Sequence, residues 1–295
     1  MVSQLALVLI PVFCLVALGT WYGKSRKPDP EWTNKMNMDW FLPALIFSAL
    51  STRSFDWHAD SWLVLGTVGI ILGSGLLAWP LVRFLKLDWR TFLPPVMFSN
   101  CGNIGLPLAM FAFGQALMPN AIVVFVTTNL LFFTLGAWLI SGQTQWRNIL
   151  SSPMVIATLI GFAMGASGWR FPAEVAKPIQ LLGDISLPLM LFTLGIRMAE
   201  VKWADWQHGM LGAVLCPLTG ILAVALVLPW LPLSPGQQAA LILFAVLPPA
   251  AVNYLLAETY QQEPKKMAAI VLAGNIASLV FVPLGLALAM RTQAA

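Results

Sequence analysis

The chain has 295 residues, of which 59% are hydrophobic and only 9% charged, with a mean hydropathy of +0.80. A soluble domain is roughly a quarter charged, so 16 basic and 12 acidic side chains cannot cover a water-facing surface of this size. That excludes a soluble enzyme, a disordered chain and a nucleic-acid binder, and the net charge of +4 is read as loop bias rather than as the mark of a polyanionic partner.

An all-α integral membrane fold follows, because a helix crosses the hydrocarbon core with about 20 apolar residues. Ten helical segments are predicted, over residues 4–23, 37–52, 61–84, 91–114, 118–140, 152–171, 178–198, 209–231, 237–259 and 267–290. The first is read as a span rather than a secretory signal, since no basic region precedes it and no A-x-A site follows. The second carries Asp39 at its start and Pro43 inside. The third carries Gly69-x3-Gly73 and the sixth Gly161-x3-Gly165, spacings that serve close helix packing. The longest connections run from Lys24 to Lys35 and from Ser141 to Ser151, so no soluble domain is expected between spans. Cys14, Cys101 and Cys216 lie in apolar stretches, and His58 and His208 are expected in loops. None has metal-ligand spacing, so no metal and no cofactor are expected.

With ten spans both termini share a side. The loops after odd-numbered segments hold twelve Lys and Arg, including Lys24, Lys35, Arg83, Arg147, Arg197, Lys202 and Lys265. The opposite side holds four, Arg53, Arg170, Lys177 and Arg291. Cytoplasmic loops are the basic ones, so both termini are placed outside a bacterial cytoplasmic (inner) membrane. Trp21, Trp40, Trp62, Trp89, Trp146, Trp169 and Trp230 fall near predicted ends, as an interfacial aromatic belt does.

The two halves resemble one another. Asp39-x3-Pro43-x3-Phe47 recurs as Asp184-x3-Pro188-x3-Phe192 at an offset of 145. Pro11 and Gly19 recur as Pro153 and Gly161 at 142, and Asn129 as Asn275 at 146. Two five-helix repeats, 1–145 and 146–295, are expected. An odd number of helices per repeat turns the second one upside down. Inverted repeats are the mark of secondary transporters, whose sites sit where corresponding helices are interrupted by Gly and Pro.

The fourth segment has such an interruption: Pro94-Pro95-Val-Met-Phe-Ser99-Asn100-Cys101-Gly102-Asn103-Ile-Gly105-Leu-Pro107. The ninth has Pro248-Pro249-Ala-Ala-Val-Asn253. Proline removes a backbone donor and glycine lets the chain open. Matching Pro107 to Pro249, at an offset of 142, is the preferred register and would cross both breaks at the midplane. Each half-helix then begins with free N–H groups and a positive dipole end. That makes an anion site without a lysine or arginine, to which asparagine side chains add donors.

These residues resemble the auxin efflux carrier family, which includes plant auxin exporters and bacterial carboxylate permeases. The likeness rests on Asn37 ahead of Pro43, Asn100-x4-Gly105-Leu-Pro107, Asp184-x7-Phe192-Thr-Leu-Gly195 and Leu247-Pro248-x8-Ala257, and it extends over the whole chain. It implies that segments 1, 2, 6 and 7 form a scaffold that also homodimerises, and that segments 3–5 and 8–10 form a moving, elevator-like transport domain. It makes Asn100 the residue that holds the substrate carboxylate, with Pro107 and Pro249 at the crossing. Plant members carry a glutamine in the fifth segment, where this chain has Thr128-Asn129, and many carry a long central loop that is missing here. The expectation is therefore a carrier of a small organic anion other than auxin. The substrate-binding set is Asn100, Asn103, Gly105, Pro107, Asn129, Pro248, Pro249, Asn253 and Asn275.

Three driving forces stay open. Proton coupling would use Asp184, the best intramembrane carboxylate; sodium coupling would use Thr128, the asparagines and freed carbonyls; uniport would use neither. One anionic charge leaving the cell gains about 2.3 kcal/mol at 100 mV, so uniport suffices for export. An anion channel shares the polar mid-span helices. An aspartyl protease fits poorly, because Asp39 and Asp184 lie near opposite faces of the membrane.

Overall fold

The computed structural model describes residues 2–53, 57–142, 151–199 and 206–294, with side chains for 6–53, 58–142, 151–199 and 206–292. The expected repeat boundary at 145 and 146, and Trp146, Arg147 and Lys202, lie outside the described residues.

Each predicted segment is helical, but not every one is a single helix. Helix α1 (Val2–Arg26) is continuous. Within the long connection expected from Lys24 to Lys35 lies a further helix, α2 (Pro30–Met36). Asp29 caps it by accepting the Glu31 N–H at 2.8 Å, and Pro30 supplies a pre-set first turn. A wide π turn over Asn37–Phe41 joins α2 to α3 (Leu42–Ser51). Helix α4 (Trp57–Phe84) is continuous. Next come α5 (Trp89–Met97), a π segment over Cys101–Gly105 and α6 (Leu106–Phe113). Helix α7 (Met118–Leu131) passes through a second π turn, Phe132–Gly136, into α8 (Ala137–Ser141). Helices α9 (Pro153–Ser167), α10 (Ala173–Ala199) and α11 (Trp206–Val227) follow. The chain ends with α12 (Pro235–Ala245), α13 (Val252–Thr259) and α14 (Pro264–Ala294).

Among the described residues, six helices are long and apolar enough to cross a membrane unaided: Ala6–Arg26, His58–Phe84, Met118–Ser141, Ala173–Ala199, Trp206–Trp230 and Pro264–Thr292. The other four predicted segments are interrupted or short. A π turn divides the second, backbone breaks divide the fourth and ninth, and α9 stops at Ser167. The histidines expected in loops sit in the first turns of α4 and α11.

Lys24 and Arg26 occupy the last turn of α1 and Arg83 that of α4, where cations offset the negative helix end. The exterior is apolar: Leu7, Leu76, Leu159, Leu222 and Val280 are exposed along the helices, and Trp21, Trp40, Trp169 and Trp230 toward their ends. Exposed apolar surface of this extent suits hydrocarbon, not water.

Four helices pack through glycine. Helix α1 crosses α10, and α3 packs on α9 and α10. A Cβ at Gly195 would overlap the Val16 carbonyl oxygen, and one at Gly19 would overlap that of Phe192. A Cβ at Gly161 would crowd the Phe47 backbone at 3.2 Å. The repeat offsets pair Gly19 with Gly161 and Phe47 with Phe192, and each glycine packs against the phenylalanine of the other half. Asn37, buried at the start of the π turn, accepts the Ser186 hydroxyl at 2.8 Å and ties this group to α10. The second group joins α4 to α11, and α14 to α11 and α12.

Gly195→Val should lower stability by more than about 2 kcal/mol through overpacking, read as a fall in melting temperature in detergent. At the α13–α14 turn, Glu263 accepts the buried Thr91 hydroxyl at 2.7 Å and pairs with Lys266. Partial desolvation raises the Glu263 pKa, but the Lys266 and Thr91 hydrogen bonds outweigh it, leaving the carboxyl below its ordinary value. A depressed folded pKa stabilises above the unfolded value of about 4.3 and is lost as pH falls through the folded one. Glu263→Gln should therefore destabilise at pH 7 by less than about 1 kcal/mol, and melts of the two proteins should converge as the pH falls through the folded-state pKa.

Candidate functional site

The fourth and ninth segments cross where both lose their helical hydrogen bonds. Ser99 and Pro249 form a single antiparallel bridge. The Asn100 N–H donates to the Pro248 carbonyl at 2.7 Å, and the Ala250 N–H to the Phe98 carbonyl at 3.1 Å. The Asn253 side-chain amide donates to Phe98 and Ala250 carbonyls at 3.1 and 2.9 Å. The Ser99 hydroxyl donates to Phe244 at 3.2 Å, and the Cys216 thiol to Leu247 at 3.5 Å. Each break thus satisfies the backbone freed by the other, as a buried backbone requires. Pro248 and Pro249 have no N–H to satisfy.

This register differs from the expected one. Pro249 faces Ser99, and Pro107 lies further on, buried in the first turn of α6. The strands cross antiparallel, so their contact is set by where each helix opens and not by a constant sequence offset. Gly105 is a packing residue: a Cβ there would lie 2.8 Å from the Leu247 side chain. Pro249 itself demands a glycine opposite, because a Cβ at Gly274 would overlap its ring.

Asn100 heads the second half of the broken helix. Its side-chain oxygen accepts the Asn103 N–H at 3.3 Å, and its carbonyl accepts Ile104 and Gly105 N–H groups. Asn100 is only 3% exposed, yet its side-chain N–H₂ has no hydrogen-bond partner among the described residues. A buried donor without a partner costs about 1–3 kcal/mol, and an anionic oxygen beside it would recover that. Asn100 lines a cavity of about 50 Å³ together with Asn103, Thr128, Asn129, Asn34 and Arg197. The chain bends around it in π segments, which recur at functional sites.

The remaining expected residues divide. Thr128 and Asn129 line the cavity while bonding back to the Val124 and Phe125 carbonyls, both at 2.8 Å. Asn253 is fully buried in the crossing. Asn275 donates to Val271 at 2.7 Å and does not line the cavity. The carbonyl oxygens of the Asn253 and Asn275 side chains have no partner among the described residues. Asp184 is exposed and lines a different cavity, of about 290 Å³, with Lys177, Gln180, Ser48 and Thr52.

Arg197 is the residue that sequence reasoning misplaced. It counts there as a loop charge, and the anion site was expected to hold no cation. In the structure it stands in the last turn of α10, and α10 packs on the 101–105 segment, so Arg197 reaches the cavity of Asn100. Gly195, whose place against α1 fixes α10, is the nearest signal in the sequence.

The chain is similar to known membrane transporters. A family described as membrane transport protein matches residues 6–144 and 135–286. A protein of Rhizobium meliloti (strain 1021) named "Putative malonate transporter" is 24% identical over 308 residues, covering 95% of this chain and 94% of its own length. Auxin efflux carrier component 8 of Arabidopsis thaliana is 28% identical over 141 residues, 45% of this chain and 38% of the plant protein. Auxin efflux carrier component 3a of Oryza sativa subsp. japonica is 28% identical over 142 residues, 45% of this chain and 23% of its own length. The chain is a multi-pass membrane transporter, not an enzyme, and belongs to the auxin efflux carrier family.

Proposed function

We propose that the protein is a secondary transporter of small organic anions, carboxylates in the first place, working by alternating access. The observation that carries this reading is the buried Asn100 donor, unpartnered among the described residues, at the crossing of two broken helices. Half-helix N-termini and asparagine amides hold a carboxylate without forming a permanent ion pair. The small volume beside Asn100 favours a substrate of few heavy atoms. The rhizobial relative, matched over nearly its whole length, supports a short carboxylate such as malonate.

In this reading ten spans form two inverted five-helix repeats, 1–145 and 146–295. The mirrored Gly19–Phe192 and Gly161–Phe47 crossings support that symmetry. Helices α1, α3, α9 and α10 are the scaffold and carry the homodimer contact. The helices of segments 3–5 and 8–10 move as the transport body, elevator-like. The basic loops put both termini outside a bacterial cytoplasmic membrane, with lipid around the apolar exterior. The Asn100 cavity then faces the cytoplasmic end, and the Lys177–Asp184 cavity is the vestibule of the opposite face.

A second reading has a specific observation behind it. Among the described residues the Asn253 and Asn275 side-chain oxygens are buried acceptors without partners, and a sodium ion takes oxygen ligands. This is a sodium-coupled symporter with the same anion site, in which Thr128 assists. Proton coupling rests on Asp184, which does not share the anion cavity. A channel is separated from a carrier by saturable counterflow.

Asn100→Ala should reduce uptake of labelled malonate into proteoliposomes at least about ten-fold, while the melting temperature stays within a few degrees of the parent. Retained uptake at unchanged affinity would remove Asn100 from the site. Dependence of uptake on an imposed sodium gradient decides between the two readings.

A further inference from the structure

We propose that the turn between α4 and α5 is a binding site for an anionic phospholipid. The inference is independent of the Asn100 cavity. On α4, Leu72, Leu76 and Trp79 are exposed and recur at helical spacing, so they form one apolar stripe. The stripe ends on the exposed Arg83, one turn after Trp79. The Trp79 ring lies 6.2 Å from that of Trp89, in the first turn of α5, and the Arg90 guanidinium stands over the Trp89 ring at 5.3 Å. Arg83 and Arg90 therefore flank one tryptophan pair from the two helices on either side of the turn. Lys86, exposed in the turn itself, adds a third cation.

Among the described residues none of these three cations is in an ion pair. The acid beside them is otherwise engaged: the Asp88 carboxylate accepts the Arg90 backbone N–H at 2.9 Å and the Gln262 side-chain amide at 2.8 Å. An exposed apolar stripe that ends on unpaired cations matches one occupant, a lipid whose acyl chain lies along Leu72 to Trp79 and whose phosphate meets Arg83 and Arg90. Tryptophan rings sit at the headgroup level, and guanidinium groups hydrogen-bond phosphate in a fork. A zwitterionic headgroup also offers a phosphate, but its ammonium would meet Lys86, so three cations select a lipid of net negative charge. On the orientation proposed above this turn faces the cytoplasmic leaflet, whose surface is anionic. Helices α4 and α5 belong to the proposed transport body, so the lipid is held by the part that moves.

The test is native mass spectrometry of the purified full-length protein in detergent, titrated with dioleoylphosphatidylglycerol or dioleoylphosphatidylcholine. One cation near anionic lipid contributes about five-fold in affinity, so the parent should hold phosphatidylglycerol at least about ten-fold more tightly than phosphatidylcholine. Arg83→Gln combined with Arg90→Gln should weaken phosphatidylglycerol about twenty-fold and phosphatidylcholine less than about three-fold. Both side chains are exposed, so the fold should be kept, read as a melting temperature in detergent close to that of the parent. Lys24→Gln combined with Arg26→Gln removes the same charge from the exposed end of α1 and should weaken phosphatidylglycerol less than about three-fold. Equal weakening by the two pairs of substitutions would reduce the effect to net charge and overturn the site, as would equal binding of both lipids by the parent. Glycerol 3-phosphate, which carries the phosphate without acyl chains, should leave the bound lipid in place. Its displacing the lipid at equal concentration would overturn the lipid as occupant in favour of a free phosphate.

Discussion

The fold depends on one constraint, the satisfaction of backbone polar groups where water is excluded. An unpaired N–H or C=O in hydrocarbon costs several kcal/mol, so a membrane helix cannot open without a partner to receive it. Here two helices open at the same place and pair with each other, Asn100 to Pro248 and Ala250 to Phe98. Asn253 closes the remaining acceptors. Neither break is tenable alone, so the crossing fixes how the two halves of the chain meet. The prolines lower the demand by presenting carbonyls without N–H groups. Among the described residues, what stays unmatched is the Asn100 amide and the side-chain oxygens of Asn253 and Asn275, and the proposed binding chemistry uses them.

Much of this was legible in the sequence, because its signals are local. Apolar runs mark helices, and clustered Gly, Pro and Asn mark the breaks. The register of the crossing was not legible. Offsets between repeats compare positions along the chain, whereas an antiparallel crossing joins whichever residues the two openings bring together, so Ser99 and not Pro107 meets Pro249. Arg197 was hidden for a related reason. A basic residue at a helix end reads as a loop charge, and only the packing of α10 on the 101–105 segment turns it toward the cavity. The helix at 30–36 was missed because Lys24 to Lys35 looks like a polar loop, although Asp29-Pro30 is a strong start signal.

The scarcity of charge acquires a more exact meaning in three dimensions. Lys24, Arg26 and Arg83 stand in the last turns of their helices, where cations offset the dipole. Two others line cavities, Arg197 that of Asn100 and Lys177 that of Asp184. The first cavity has no carboxylate lining it among the described residues; the second has Asp184, which makes it a poorer place for an anion to rest.

The most direct measurement is a cryo-electron microscopy map of the protein with saturating malonate. The account predicts ligand density against the Asn100 side chain, at the crossing of residues 98–100 with 248–250. Density confined to the other cavity, between Lys177 and Asp184, with nothing at the crossing, would contradict it.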